Sequence, residues 1–388
     1  ELKGVLKKVA PFVYKRSSLD VLRYVRLFTE GETTWLQATD LESYVTVPIV
    51  SLNGPLSEVI VPFQDLVDIV NAVDVQHIAL SNGPEKLLIK GDGLGASIEA
   101  DTPVEDFPLE PSGTVATAFW VRSDLLKEIA NRVAPNAAPE LERPALTAVC
   151  FEISKEKLIA VSADGFKMAW LEEEVGDRFT PICVETISVP AKSLVSIAKL
   201  SEHGQVEVEI IYEGEQPHMA RFIFENRSRA TVMLIENKFP DFRQIIPKVG
   251  CQECEWKGCL KCDAGFCVPG PDLKKGLKVL HALAKRMSCK MVKFETRDHM
   301  LYLTARHEGK TLVKEIPLIT MRGEDVTFYA NPEIMKGLVN CADADGIVFQ
   351  YNPSSVIEGK EHLNCPVILR PLGNDGWRSV FMLMSPNE

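Results

Sequence analysis

Val61-Pro62-Phe63-Gln64-Asp65-Leu66-Val67-Asp68-Ile69 returns 128 residues later as Val189-Pro190-Ala191-Lys192-Ser193-Leu194-Val195-Ser196-Ile197. The shared frame is V-P-x-x-x-L-V-x-I. Two further landmarks keep nearly the same offset: Thr39-Asp40 is matched by Ala163-Asp164, and Phe107-Pro108 by Phe239-Pro240. Landmarks in one order at one spacing mark a duplicated domain. The period is far longer than the roughly 20–50 residues of a solenoid repeat. Within the frame, proline suits a first helical turn, so each copy predicts a helix.

The rest of the chain fits this frame. A length of 388 residues accommodates two or three domains, each with its own core. Hydrophobic content of 46% and charged content of 25% are those of a soluble globular protein. No run of about 18 apolar residues offers a membrane span, and no secretory signal pattern opens the sequence. Ten cysteines in so long a chain do not make a disulfide scaffold, so a reduced, cytoplasmic protein is expected.

Each copy reads as helix, alternating strands, V-P helix and more strands. The first helices are Leu2 to about Ala10 and a helix capped by Ser123 that runs to about Val133. Thr34–Ala38, Leu158–Ser162 and Gln205–Ile211 alternate with period two and predict half-buried strands. A third copy is weaker in residues. Its first helix, Asp272 to Met287, sets Leu273, Leu277, Leu280 and Ala284 on one stripe. Asn331-Pro332 opens its second, with Asn331 as the cap. Strands are expected at Met291–Thr296, Leu301–Ala305, Ile347–Tyr351, Val367–Arg370 and Val380–Met384. The expected class is α+β: three tandem domains at 1–112, 113–248 and 270–388, each with two helices and largely antiparallel sheets. A cysteine-rich insertion at 249–269 separates the last two.

Net charge is −11, so binding to a polyanion requires segregated cations. The helices supply them. Asp272–Met287 carries Lys274, Lys275, Lys278, Lys285 and Arg286 against one acid. The first helix has Lys3, Lys7 and Lys8, and the helix after Val189 has Lys192 and Lys199 with no acid. The helix after Val61 opposes the trend with Asp65, Asp68 and Asp74. One basic helix is ordinarily a solvated face. Several in an acidic chain point to a localised polyanion-binding surface.

The sequence resembles the bacterial DNA polymerase III beta subunit, the sliding clamp. The motifs are Arg16-Ser17-Ser18-Leu19-Asp20-Val21-Leu22, Ala38-Thr39-Asp40-Leu41-Glu42, Glu105-Asp106-Phe107-Pro108, Glu142-Arg143-Pro144-Ala145-Leu146-Thr147, Ser162-Ala163-Asp164-Gly165-Phe166-Lys167-Met168-Ala169, Val189-Pro190-Ala191-Lys192 and Lys238-Phe239-Pro240-Asp241-Phe242. They cover the first two domains; the third matches in pattern. The resemblance implies three clamp domains forming half of a ring, closed head-to-tail as a homodimer around duplex DNA. It implies a non-catalytic processivity factor that tethers a polymerase and meets a clamp loader through short peptide motifs. DNA-facing cations would be Lys3, Lys7, Lys15, Arg16, Lys192, Lys199, Lys274, Lys275 and Lys278.

By the same resemblance, partner peptides enter a hydrophobic pocket between the second and third domains. Its residues would be Leu146, Gly165, Phe166, Lys167, Met168, Pro240, Gln244, Ile245, Asn331, Ile334, Met382, Leu383 and Met384. From sequence alone Met168, Met382 and Met384 also read as core. Two departures from the family pattern imply altered partner preference. Phe166-Lys167 stands where the family has His-Arg, and the chain ends Met384-Ser385-Pro386-Asn387-Glu388. The family's short first strand has no counterpart before the first helix.

Cys251-x2-Cys254-x4-Cys259-x2-Cys262, followed by Cys267, has no counterpart in typical clamps. Two C-x2-C pairs can give the four thiolates of a closed structural zinc site. Cys254-x4-Cys259-x2-Cys262 with Cys267 also echoes an iron–sulfur spacing. A metal-free loop is the third reading. One structural zinc per chain on Cys251, Cys254, Cys259 and Cys262 is the expectation carried forward, with no cofactor required for the clamp itself. The alternative function is a clamp-derived, metal-dependent or redox-responsive adaptor without ring function. No G-x-S-x-G, H-E-x-x-H or Walker A pattern is present. Gly91-Asp92-Gly93-Leu94-Gly95 suits a hairpin turn, and Asp40 and Asp164 sit in equivalent turns, which argues for structure over catalysis.

Overall fold

The structure is a computed structural model that describes residues 2–14, 18–49, 56–73, 77–91, 93–139, 143–154, 156–174, 186–247, 264–286, 291–351, 366–373 and 376–384. The first repeat runs α1 (Leu2–Val9), β1 (Tyr24–Glu30), β2 (Thr33–Thr39), β3 (Ser43–Ile49), β4 (Val59–Pro62), α2 (Phe63–Ala72), β5 (Ile78–Gly83), β6 (Lys86–Gly91) and β7 (Leu94–Glu99). The second runs β8 (Thr114–Arg122), α3 (Ser123–Glu128, continued by a π turn over Ile129–Val133), β9 (Ala148–Ile153), β10 (Lys157–Ala163), β11 (Lys167–Glu174), β12 (Thr186–Pro190), α4 (Ala191–Ala198), β13 (Gln205–Glu213), β14 (Gln216–Phe224) and β15 (Arg229–Met233). The third runs β16 (Ala264–Pro269), α5 (Gly270–Arg286), β17 (Val292–Arg297), β18 (Met300–His307), β19 (Lys310–Pro317), β20 (Thr320–Arg322), β21 (Thr327–Ala330), α6 (Pro332–Ala342), β22 (Gly346–Tyr351), β23 (Pro366–Pro371) and β24 (Trp377–Met382). The order helix, four strands, helix, three strands occurs three times, with β20 an extra strand in the last.

Local chemistry sets the helix starts. Asn331 accepts hydrogen bonds from the N–H groups of Glu333 and Ile334, so it caps α6 as its sequence suggests. Pro62 and Pro190 do not enter a first helical turn. Each ends a strand with extended backbone and stands one residue before its helix, where it needs no N–H. Ser123 lies inside α3 and donates its hydroxyl to the carbonyl of His203, which replaces the capping role expected of it. Cys267 and its neighbours form β16, paired to β22 and β20. The cysteine-rich segment expected at 249–269 therefore gives up its last six residues to the sheet of the third repeat.

The chain divides into two compact units, 1–127 with 176–236 and 128–175 with 237–388. In the first, a sheet runs in the order β4-β1-β2-β3-β15-β14-β13-β8, and β5-β6-β7 forms a separate sheet. Its central joint is β3 against β15, with Thr46 opposite Arg229 and Tyr44 opposite Thr231. In the second unit the order is β9-β10-β11-β24-β23-β22-β16-β20, joined by β11 against β24, with Met168 opposite Val380 and Trp170 opposite Arg378. A further sheet there runs β19-β18-β17-β21. Each joint pairs a strand of one repeat with a strand of the next.

Helices close the inner faces. Leu273, Leu277 and Leu280 of α5 and Met335 and Leu338 of α6 are fully buried. They lie over a repeat that also buries Phe266, Phe294, Phe328, Phe349 and Phe381 in one aromatic cluster, with Phe266 and Phe349 stacked at 4.7 Å. Burial of this order contributes about 1.5–3 kcal/mol per large side chain.

Arg132 ties the second unit together. It donates Nε to the carbonyl of Cys341 (2.8 Å) and Nη2 to that of Ala342 (3.2 Å), pairs with Glu128, and lies 4.9 Å over the Trp377 ring. Trp377 returns its indole N–H to the Arg132 carbonyl at 3.0 Å. The guanidinium thus satisfies the free carbonyls at the α6 C-terminus, where positive charge is favoured. Arg132→Ala is expected to destabilise this unit by about 2–3 kcal/mol, from the lost charged hydrogen bonds and ring contact. A urea-unfolding midpoint indistinguishable from that of the parent would contradict this.

Candidate functional site

The pocket residues inferred from sequence all lie in the second unit. Asp164 opens the site: its Oδ1 accepts from the N–H groups of Phe166 (2.9 Å) and Lys167 (2.8 Å), and Gly165 turns the chain at φ +95°. A left-handed residue is what glycine supplies at little cost. The turn pushes Phe166 outward to 66% exposure. Its carbonyl accepts the N–H of Met382 at 2.9 Å, and Met384 donates to the carbonyl of Tyr329 at 2.9 Å, just before the capping Asn331. Phe166, Met382, Leu383, Met384 and the start of α6, with Ile334, are therefore brought together. Met382, Leu383, Met384, Asn331 and Ile334 are half-buried.

The other wall is the segment after Pro240. Asp241 caps a short turn over Phe242–Ile245 and accepts from Gln244 Nε2 at 3.1 Å. Arg243 lies 4.5 Å over the Phe242 ring and makes a two-pronged pair with Glu152 at 2.9 and 2.5 Å. That pairing raises the guanidinium pKa above its ordinary value. Phe242 and Ile246 are buried, which leaves Ile245 outward at 48% exposure and Pro240 and Gln244 exposed.

Two pocket candidates belong beneath the surface. Met168 is 1% exposed and Leu146 7%, in one core cluster with Phe239, Phe242, Ile246, Trp170 and Val380. They shape the floor and present little surface of their own. Lys167 is turned inward, paired with Asp164 at 3.1 Å and reaching the Pro135 carbonyl at 3.4 Å. Phe166 and Ile245 are thus the most exposed apolar groups of the set.

The candidate DNA cations divide by role. Leu2-Lys3, Leu126-Lys127 and Leu273-Lys274 occupy one register on the first helix of each repeat. In each, the lysine reaches past the end of the second helix of its own repeat. Lys3 Nζ donates to the Val73 carbonyl (3.2 Å), Lys127 to the Glu202 carbonyl (2.6 Å), and Lys274 pairs with Asp343 (3.2 Å). The cation sits where a helix C-terminus favours it. Lys3 and Lys274, read from sequence as DNA contacts, therefore carry a capping role. Lys7, Lys192, Lys199, Lys275 and Lys278 are exposed. Lys15 and Arg16 lie outside the described residues.

So do Cys251, Cys254, Cys259 and Cys262. Among the described residues no group of histidine, cysteine and carboxylate side chains could hold a metal. Cys267 is 2% exposed within β16, and burial pushes its thiol pKa up. A protonated, enclosed thiol is a poor ligand, which removes the fourth member from the iron–sulfur reading.

Residues 120–241 match the family described as "DNA polymerase III beta subunit, central domain". The middle of the chain is similar to that domain. The whole fold is that of the beta sliding clamps: the sliding clamp of Pseudomonas aeruginosa bound to griselimycin superposes with TM-score 0.83 at 21% identity, over 99% of this chain and 97% of that one. The beta subunit of Thermotoga maritima gives 0.81 at 20% identity, over 99% and 97%. By sequence, the beta sliding clamp of Pseudomonas putida is 28% identical over 256 residues, a stretch that spans 63% of this chain and 65% of that relative. The Escherichia coli K12 clamp is 22% identical over 88% of both chains. The resemblance drawn from the motifs stands.

The exposure pattern yields a direct check on the thiols. Cys267 and Cys341 are both buried, with thiol pKa values raised by burial. At pH 8 both are expected to resist iodoacetamide in the folded protein and to label fully in urea, read by peptide mass mapping. Rapid labelling of Cys267 in the folded state would contradict its place in the sheet.

Proposed function

We propose that the chain is a DNA sliding clamp, a non-catalytic processivity factor of the cytoplasm. It closes head-to-tail with a second copy around duplex DNA. Through the pocket at Phe166, Ile245 and Met382 it holds short peptide motifs of a replicative polymerase, a clamp loader and other partners.

The observation that carries the reading is the set of strand edges left over. In each unit, the joint pairs the third of the four strands that follow a repeat's first helix, β3 or β11, with the final strand of the following repeat, β15 or β24. The third repeat has an equivalent outer strand, β19, and the first an equivalent final strand, β7; among the described residues each ends its sheet. An open strand edge is a template for another chain. β19 of one copy against β7 of another repeats the same antiparallel joint and closes a two-chain ring. This favours a ring over the adaptor reading.

Helix register supports the joint. Five residues after the capping lysines come Lys8, Arg132 and Val279. Lys8 pairs with Glu202 at 2.6 Å, and Arg132 reaches the α6 carbonyls, so both touch the end of the second helix in the next repeat. Val279 is 54% exposed and meets no following repeat among the described residues. It is the apolar contact offered to the other copy. Val279→Asp should raise the dimer dissociation constant at least tenfold by sedimentation velocity; a dimer of unchanged affinity would count against the joint.

Lys7, Lys192, Lys199, Lys275 and Lys278, with Lys15 and Arg16, would face phosphates without reading sequence, so affinity should fall steeply with salt. The ring is tested on a nicked circular plasmid to which a bacterial clamp loader has delivered the protein. The bound dimer should survive a 1 M salt wash and leave when one restriction cut makes the plasmid linear. Loss in the salt wash alone would contradict encirclement.

The cysteine segment is given a zinc knuckle on Cys251, Cys254, Cys259 and Cys262. The paired C-x2-C spacing supports it, and the segment is anchored at both ends by buried Ile246 and Ala264. Protein purified without chelator should carry one zinc per 43.1 kDa chain by native mass spectrometry. Apo-protein with all four cysteines readily alkylated would remove the metal and leave the clamp.

A further inference from the structure

We propose that Arg243 and Glu152 are positioning residues of the Phe166 pocket: their ion pair fixes the turn that carries Ile245, so that this wall is in place before a partner peptide arrives. The proposal rests on reading that pocket as a peptide site.

The segment from Phe239 to Ile246 crosses the sheet as a strap. Phe239, Phe242 and Ile246 enter the apolar cluster that also holds Ile159, Trp170 and Val380. Burial holds the strap down, but it is non-directional. Between these anchors runs one short 3-10 turn, Phe242–Ile245, whose hydrogen bonds alone do little to fix its shape. Asp241 steadies its start by accepting the N–H of Arg243 at 3.2 Å.

Arg243 supplies the directional hold. Its Nη1 and Nη2 donate to Oε1 and Oε2 of Glu152 at 2.9 and 2.5 Å, and its guanidinium lies 4.5 Å over the Phe242 ring. A fork meeting a fork fixes orientation as well as distance. Glu152 on β9 and Glu172 on β11 both stand opposite Ile159 of β10. Lys157 takes Glu172 at 2.7 Å, which leaves Glu152 to Arg243.

The strand joint itself does not require this pair. In the first unit β3 meets β15 with Phe107-Pro108-Leu109-Glu110-Pro111 in the place of Phe239-Pro240-Asp241-Phe242-Arg243. Among the described residues no helical turn follows Phe107, and Glu110 is held instead by Arg221 at 2.6 Å and Thr231 at 2.7 Å. The joint forms all the same. Of the two joints, the one that carries the pocket is the one with the pinned turn and the outward isoleucine.

The side chains of the pair are 51% and 30% exposed, so the pair contributes little to folding. Its effect falls on order. A loop held in its bound conformation loses less freedom when a ligand arrives, and affinity rises accordingly.

The test is calorimetric titration of the full-length protein with the uncharged peptide acetyl-Gln-Leu-Ser-Leu-Phe-amide. Glu152→Gln and Arg243→Gln should each weaken binding about three- to tenfold. The double variant should bind no worse than Arg243→Gln alone, because the two residues act as one unit. Raising sodium chloride from about 0.1 to about 1 M should narrow the gap between the parent and Glu152→Gln, since the peptide brings no charge of its own to screen. Melting temperatures should stay within about 2 °C of the parent's. Parent-like affinity in both single variants, or losses that simply add, would overturn the proposal. A lowered melting temperature with unchanged affinity would overturn it as well and assign the pair to the fold. Ile245→Asp separates the two readings. If that change abolishes binding while the Glu152 and Arg243 changes do nothing, the positioning role alone fails. Binding indifferent to Ile245, or absent from the parent, counts against the pocket and removes the positioning role with it.

Discussion

A strand at the edge of a sheet leaves a row of N–H and C=O groups unpaired, and this constraint organises the molecule. Each repeat makes an edge that its own strands do not cover. β3 finds β15 and β11 finds β24, so the sheet passes from one repeat to the next without a break. The same joint brings together the elements that form the candidate peptide site. The Asp164 turn precedes β11, the Met382–Met384 segment follows β24, and the hydrogen bond from Met382 to Phe166 is the last rung of the ladder. Pairing and recognition surface have one origin.

Positive charge on the helices serves two ends that composition cannot separate. Lys3, Lys127 and Lys274 lie at one register and each stabilises the end of a neighbouring helix. Lys8 and Arg132, one turn and a half further, join repeats. Lys7 and Lys278 sit between those positions and point to solvent. A helix that counts as basic by sequence therefore spends part of its charge on the fold, and the remainder is available to a polyanion. The burial that lifts the thiols of Cys267 and Cys341 has the same lesson for cysteine: position in the fold, in β16 for one and α6 for the other, decides which thiols are enclosed.

Much of this was legible in the residues. The V-P frame and the paired Asp40 and Asp164 located the repeats, and the structure shows why: two strand ends, two helix starts and two side-chain-capped turns. Asn331-Pro332 announced its helix because the cap is a local hydrogen bond. What escaped was non-local. Ser123 looked like a cap, but its hydroxyl is taken by His203, eighty residues away. Met168 and Leu146 looked like pocket wall, but strand pairing turns Met168 into the core and the short turn before β9 packs Leu146 into the same cluster. The strand at Cys267 was hidden because its partners, β20 and β22, lie far along the chain.

The central claim is that β19 is an edge only until a second copy arrives. Hydrogen exchange followed by mass spectrometry, over a dilution series, reads this directly on residues 310–317 and 94–99. The outward-facing amides of both strands should be protected at high protein concentration and exchange rapidly, together, once dilution separates the chains. Exchange that is fast at every concentration, or protection in only one of the two strands, would contradict the joint and with it the closed ring.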